Sequence, residues 1–234
     1  MAWLRTREAR SAWLIFWVFL LLPAAGTLSH EAGHIAVARW LGYETELYYA
    51  SMSAFTDDSA VYAGRCGLPP AAEADLPAYA ECRRQEGKHE SLLISLGGPL
   101  QTMLTGTLGL AWLLWNRRKH AAAESLSRAG WCAVLLALLW ARQVFNQLRY
   151  GLDWIQGEID IPTGGDEERI SLLLGIPRWS LLAASGLIGV IICSVVVGYG
   201  VPALQRRPLL IGASVGGAAG YILWMNMLGP YLLP

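Results

Sequence analysis

Charge is scarce in this sequence. Its 234 residues hold 18 Lys and Arg against 18 Asp and Glu, 15% of the chain, where a soluble domain carries roughly a quarter. That shortage excludes an ordinary soluble domain. The two signs cancel to a formal net charge of zero, and no basic tail or domain is set apart, so nothing points to a nucleic-acid partner. Long repeats and low-complexity tracts are absent as well. Histidine is scarce as well, with four in the whole chain, so their positions carry information. What the chain has in quantity is apolar sequence: 54% hydrophobic residues, 11 Trp and a mean hydropathy of +0.37. Several stretches approach or exceed the roughly 18 apolar residues that mark a transmembrane helix. The composition predicts an all-α polytopic membrane protein, residues 1–234 forming a single membrane domain in the lipid bilayer.

Five spans are predicted, at about 11–41, 92–115, 129–149, 179–201 and 208–230, with an extramembrane loop at 43–90 and an acidic segment at 151–177. The first is too long for one crossing, since about 30 helical residues run about 45 Å against a hydrocarbon core of about 30 Å. Pro23 predicts either a kink there or a separate buried helix in the second half. Basic residues cluster in "RTREAR", in "NRRKH" with Arg128, and in "QRR". The positive-inside rule then favours a cytosolic N-terminus and an exoplasmic C-terminus. The basic start, apolar core and "PAAG" also suit a signal peptide, but cleavage there would cut the following helix from its anchor, so the segment is read as retained.

Within the loop, "ETELYYASMSAFTDDSAVYAG" predicts a β-hairpin about the turn-like "TDDS", and "AEADLPAYAECRRQEG" a short polar helix ended by Gly87. Cys66 and Cys82 lie in this loop, Cys132 and Cys193 in spans. An exoplasmic loop permits a Cys66–Cys82 disulfide; two separate thiols fit the sequence as well.

Two of the four histidines stand in one pentapeptide, His30-Glu31-Ala32-Gly33-His34, at the end of the first apolar run. It matches the zinc-metalloprotease pattern H-E-x-x-H. Residues i and i+4 of an α-helix lie about 40° apart around its axis, so both imidazoles point to one side. Glu31 is then placed to reach a water on the metal rather than the metal itself. Buried polar residues that merely pair with one another are the bland alternative, but ionisable groups inside a span are costly and usually functional. Zinc takes a third protein ligand and keeps a fourth position open. His89 and His120 sit at charged edges of spans, where plain solvation explains them. Asp153, Asp160, Asp166, Glu167 and Glu168 are the acidic candidates, and side-chain chemistry does not choose among them. Asp166 also reads as a helix N-cap, followed by acidic first-turn residues and closed by Gly175.

The order of "SHEAGHIAVARWLG", "LGGPLQTML", "FNQL" and "IPTGGDEERISLLLG" resembles the site-2 protease family of intramembrane zinc metalloproteases, over about residues 10–175. The resemblance implies a Zn2+ site held by His30, His34 and Asp166, with Glu31 as catalytic glutamate and a membrane-protein or transmembrane-peptide substrate. Asp166 is preferred to Asp153 of "GLDW" because "DEERISLL" is similar to the family's helix start, and because Gly164 and Gly165 let backbone approach a metal. Asn146 resembles the family's polar residue near the site, implying a hydrogen bond to substrate or the developing oxyanion; an interhelical hydrogen bond accounts for it equally. Gln101 and Thr102 stand where the family writes Asn after Gly-Pro-Leu. The charge pattern also sets HEAGH and Asp166 near the exoplasmic end, whereas the family is usually cut near the cytosolic side. A membrane zinc hydrolase of lipid or another non-peptide substrate, and an inactive metal-binding scaffold, are the alternatives the same motif allows.

Overall fold

The computed structural model describes residues 7–55, 76–116, 125–157 and 165–233. Helix α1 runs from Arg7 to Trp40, followed by a hairpin of β1 (Glu44–Leu47) and β2 (Met52–Phe55). Helix α2 spans Leu76–Trp115. Helices α3 (Arg128–Ala137) and α4 (Ala141–Ile155) are joined by one 3₁₀ turn. Then come the short α5 (Asp166–Leu173), α6 (Trp179–Val195), α7 (Ala203–Leu223) and α8 (Gly229–Leu232). Among the described residues four stretches are long and apolar enough to cross a membrane: Ala9–Trp40, Arg128–Ile155, Trp179–Gly200 and Ala203–Leu232. The protein is therefore a mostly α-helical, multi-pass membrane protein, with one small two-stranded sheet among the described residues.

Several local expectations are revised. The first apolar run is one 34-residue helix with Pro23 inside it, rather than two, and extends about 51 Å at 1.5 Å per residue. The span expected at 92–115 is the C-terminal part of a 40-residue helix. Its glycines, Pro99, Gln101 and threonines dilute its apolar character, and it is not among the four. Gly87 does not end a helix but lies within α2; a mid-helix glycine costs only about 1 kcal/mol, which packing of the rest outweighs. The hairpin turns at Tyr48–Ser51, with Glu44 opposite Phe55 and Leu47 opposite Met52. The "TDDS" expected as its turn lies outside the described residues. The N-cap of α5 is Gly165, with Asp166 the first helical residue. Gly175, at φ +71°, does close that helix: its N–H and that of Ile176 reach back to the carbonyls of Leu172 and Ser171, the Schellman arrangement.

The core joins Ile15 and Phe19 of α1 to Leu113 of α2, to Val134 and Ala137 of α3, and to Leu209 of α7. The outward side of the bundle is left to large apolar residues such as Leu14, Leu21, Leu187 and Leu210, as a lipid-facing surface requires. Gly212, Gly216 and Gly220 line the side of α7 that meets α1. A Cβ at Gly216 would fall 3.0 Å from Phe16 Cα, and one at Gly212 would fall 2.6 Å from the Ala12 carbonyl oxygen. Small residues here let two backbones touch, which is how helices gain packing energy in lipid. Gly216→Leu must therefore push the two helices apart. It is expected to lower stability by about 1–3 kcal/mol or more, read as a fall in the thermal midpoint of the detergent-solubilised protein.

Candidate metal centre

α1 carries the HExxH residues two to three turns past Pro23. His30, Glu31 and His34 are all buried, at 0%, 6% and 5% exposure. Their ligand atoms lie within 4.8 Å of one another. This is the geometry of an HExxH zinc-metalloprotease active site, set in a bundle of membrane-length helices.

Helix α2 supplies the floor. α1 and α2 cross at Gly33 and Gly97 with backbone against backbone: a Cβ on Gly97 would lie 2.9 Å from the Gly33 carbonyl carbon. Such an approach is open only to glycine. It brings the next residue, Gly98, under the two imidazoles. A Cβ there would lie 2.6 Å from His30 Nε2 and 2.7 Å from His34 Cδ2, so the missing side chain leaves room for what the histidines hold.

The outer ring nitrogens are fixed from α2. His34 Nδ1 donates to the Ile94 carbonyl at 2.6 Å; a carbonyl only accepts, so this nitrogen carries the proton. His30 Nδ1 lies 3.0 Å from Thr102 Oγ1. Thr102 donates its own proton to Gln101 Oε1 at 3.3 Å, which leaves its oxygen to accept from His30. Gln101 Nε2 is held in turn by Ser29 Oγ at 2.8 Å and Thr105 Oγ1 at 3.2 Å. Both rings thus turn Nε2 inward with a lone pair, the role that hydrogen bonds to the outer nitrogen play around a metal-binding histidine.

Asp166 comes from α5. Its Oδ2 stands 2.7 Å from His30 Nε2 and its Oδ1 3.3 Å from His34 Nε2. The two Nε2 atoms are 3.3 Å apart. Burial acts to raise the Asp166 pKa, but the two histidines outweigh it and hold it below the ordinary carboxylate value, so Asp166 is an anion at neutral pH. α5 is tied to α2 by Arg169 Nη2 donating to Ser91 Oγ at 3.0 Å. Asn146 Nδ2 on α4 donates to Glu167 Oε2 at 3.4 Å. Burial pushes the Glu167 carboxyl up. A cleft beside Asp166 is lined by Asn146, Arg149, Tyr150, Gly165 and Glu167.

The other candidates are elsewhere. Asp153 is half-buried on α4 and takes no part in the contacts around the histidines, and His89 is exposed. Asn146 reaches the site only through Glu167, as an interhelical hydrogen bond. Glu167 and Glu168 are buried, and Glu168 pairs with Arg178 at 3.7 Å. His120, Asp160 and Gly164 lie outside the described residues, as does Cys66; Cys82 is disulfide-bonded, while Cys132 and Cys193 are free. Sequence reasoning gave no role to Gly98, the Ile94 carbonyl or Thr102. Gly98 stands in the "LGGPLQTML" segment that carried the resemblance, and Thr102 is polar within an apolar span; the Ile94 carbonyl left no signal. Compared with known proteins, the chain matches no family model, and neither a curated protein nor a solved structure similar to it is found.

Proposed function

We propose that the protein is an intramembrane zinc endopeptidase, resembling the site-2 proteases, with His30, His34 and Asp166 as zinc ligands and Glu31 as general base. One observation carries this reading. Two inward lone pairs and a carboxylate converge at 2.7–3.3 Å, three acceptors that repel unless a cation stands among them. A proton serves one pair; a dication serves all three. Ligand atoms around tetrahedral zinc, with bonds of about 2.0–2.1 Å, stand about 3.3–3.4 Å apart; the two Nε2 atoms are 3.3 Å apart and His34 Nε2 is 3.3 Å from Asp166 Oδ1, while the other carboxylate oxygen, Oδ2, is 2.7 Å from His30 Nε2. The donor set and the space above Gly98 fit zinc.

Bound zinc would supply Lewis acidity, bringing the pKa of a coordinated water toward neutrality and polarising a carbonyl. The residues supply the rest. Among the described residues Glu31 makes no hydrogen bond or ion pair, so its oxygens are free to take the proton of the attacking water and return it to the leaving amine. The missing side chain of Gly98 leaves space beside the two imidazoles, where a bound ion and its water would sit. A membrane-spanning substrate must unwind locally, because helical carbonyls are held in i to i+4 bonds.

The test is cleavage of a panel of membrane-spanning peptides by the purified protein. Cleavage that stops on chelation and returns with one equivalent of zinc is the expected result. Hydrolysis of lipid alone, or bound zinc with no turnover of any substrate, refutes it.

A further inference from the structure

The bundle has two unlike ends, and the metal centre lies close to one of them. Helix α1 sets the spacing. From Arg10 to His30 it runs about 30 Å at 1.5 Å per residue, roughly the thickness of a hydrocarbon core. From His34 to Trp40, where α1 ends, it runs only about 9 Å. With Arg10 at one membrane surface, the histidines stand near the other.

The Arg10 end is basic. α1 and α7 run parallel: a Cβ at Gly212 would fall 2.9 Å from Ile15 Cβ, and one at Gly220 would fall 2.9 Å from Leu20 Cα. The start of α7 therefore lies beside the start of α1. The Leu126 N–H donates to Gln205 Oε1 at 3.2 Å, which adds the start of α3. Packing thus gathers Arg10, Arg128 and Arg207, all exposed and, among the described residues, without a hydrogen bond or ion pair.

The metal end differs in two ways. Tyr43, just past α1, donates from its hydroxyl to Glu90 of α2, and Trp224, just past α7, donates to the Tyr49 carbonyl at 2.9 Å. These contacts put the hairpin and the first half of α2 at this end. Arg39, Arg84 and Arg169 are engaged by Thr45, Glu81 and Ser91, and Arg178 pairs with Glu168. Cys82 is also here and is disulfide-bonded, on the same helix as the Ile94 carbonyl and Gly98 that meet the histidines. Disulfides persist in oxidising compartments and are rare in the cytosol. Unpaired cations are favoured at the cytosolic face, whose anionic lipids attract them. Both observations give the bundle the same orientation.

We infer that the metal centre lies toward the exoplasmic side of the membrane, so that the bond it cuts is in the exoplasmic half of a substrate span. The product set free is then the exoplasmic part of the substrate. This runs against the cytosolic-side cutting usual in the family the sequence resembles. The position of the cut rests on the endopeptidase reading; the side on which the metal lies does not.

The experiment uses the full-length protein in sealed right-side-out and inside-out vesicles, probed with a membrane-impermeant maleimide. Cys132 and Cys193 are replaced by Ala, and a thiol is placed at an exposed position of either end, by Glu44→Cys or Arg128→Cys. Glu44→Cys is expected to react in right-side-out vesicles only, and Arg128→Cys in inside-out vesicles only. Cys82 is expected to stay unreactive until a reductant is added. The reversed pattern, equal labelling from both sides, or a Cys82 that reacts without reductant overturns the inference. The products that the wild type makes from a co-expressed single-span protein are then sequenced. A cut in the exoplasmic half of the span is expected, and one in the cytosolic half overturns the inference. Wild type that holds zinc, labels as expected and cleaves nothing removes the endopeptidase reading, while the side on which the metal lies stands.

Discussion

Glu31→Gln is expected to remove peptide hydrolysis while zinc content stays at the wild-type level. Gln keeps the shape of Glu31 and its place one residue after His30, so the metal donors are undisturbed. What it loses is the capacity to take a proton. General acid–base catalysis contributes about 10²–10⁴-fold, and the same carboxyl serves both the attack and the departure of the amine, so the fall in kcat should lie toward the upper end. Single-turnover cleavage of a membrane-spanning peptide, with zinc measured on the same sample, reads both quantities. An active Glu31→Gln enzyme would remove Glu31 from the mechanism. A variant that loses zinc would show that Glu31 is a ligand, not the base.

Gly98→Ala is expected to abolish zinc binding with the helical bundle intact. The added methyl would enter the space between the imidazoles, 2.6 Å from His30 Nε2, well inside contact distance. The backbone of α2 has little freedom to retreat, because Gly97 is already against Gly33 one residue earlier. Gly151→Ala is the matched control, since a Cβ at Gly151 meets nothing within 4 Å. Zinc content and helical circular dichroism of the two variants separate the outcomes. Full zinc in Gly98→Ala would mean that the site does not open above this residue.

The HExxH helix was legible in the sequence because its signal is local: period 3.6 sets His30 and His34 on one face whatever surrounds them. The membrane character followed as directly from composition. What was not legible depends on contacts between distant segments. The approach of Asp166 to the histidines is set by how α5 docks on α2 and α4 through Arg169 and Glu167; side-chain chemistry alone did not choose it over Asp153, and only the family-like "DEERISLL" and the glycines before it favoured it. The floor at Gly98 exists only because α1 and α2 cross at Gly33 and Gly97. The hairpin turn was misplaced because "TDDS" has turn chemistry, whereas the register is set by pairing Leu47 with Met52.

The central claim is that His30, His34 and Asp166 together hold one zinc ion within the membrane domain. Zinc content per chain, measured on purified wild type, Asp166→Ala and Asp153→Ala, tests it most directly. About one zinc in the wild type and in Asp153→Ala, with almost none in Asp166→Ala, is the predicted result. Full zinc in Asp166→Ala, with loss in Asp153→Ala, would contradict it.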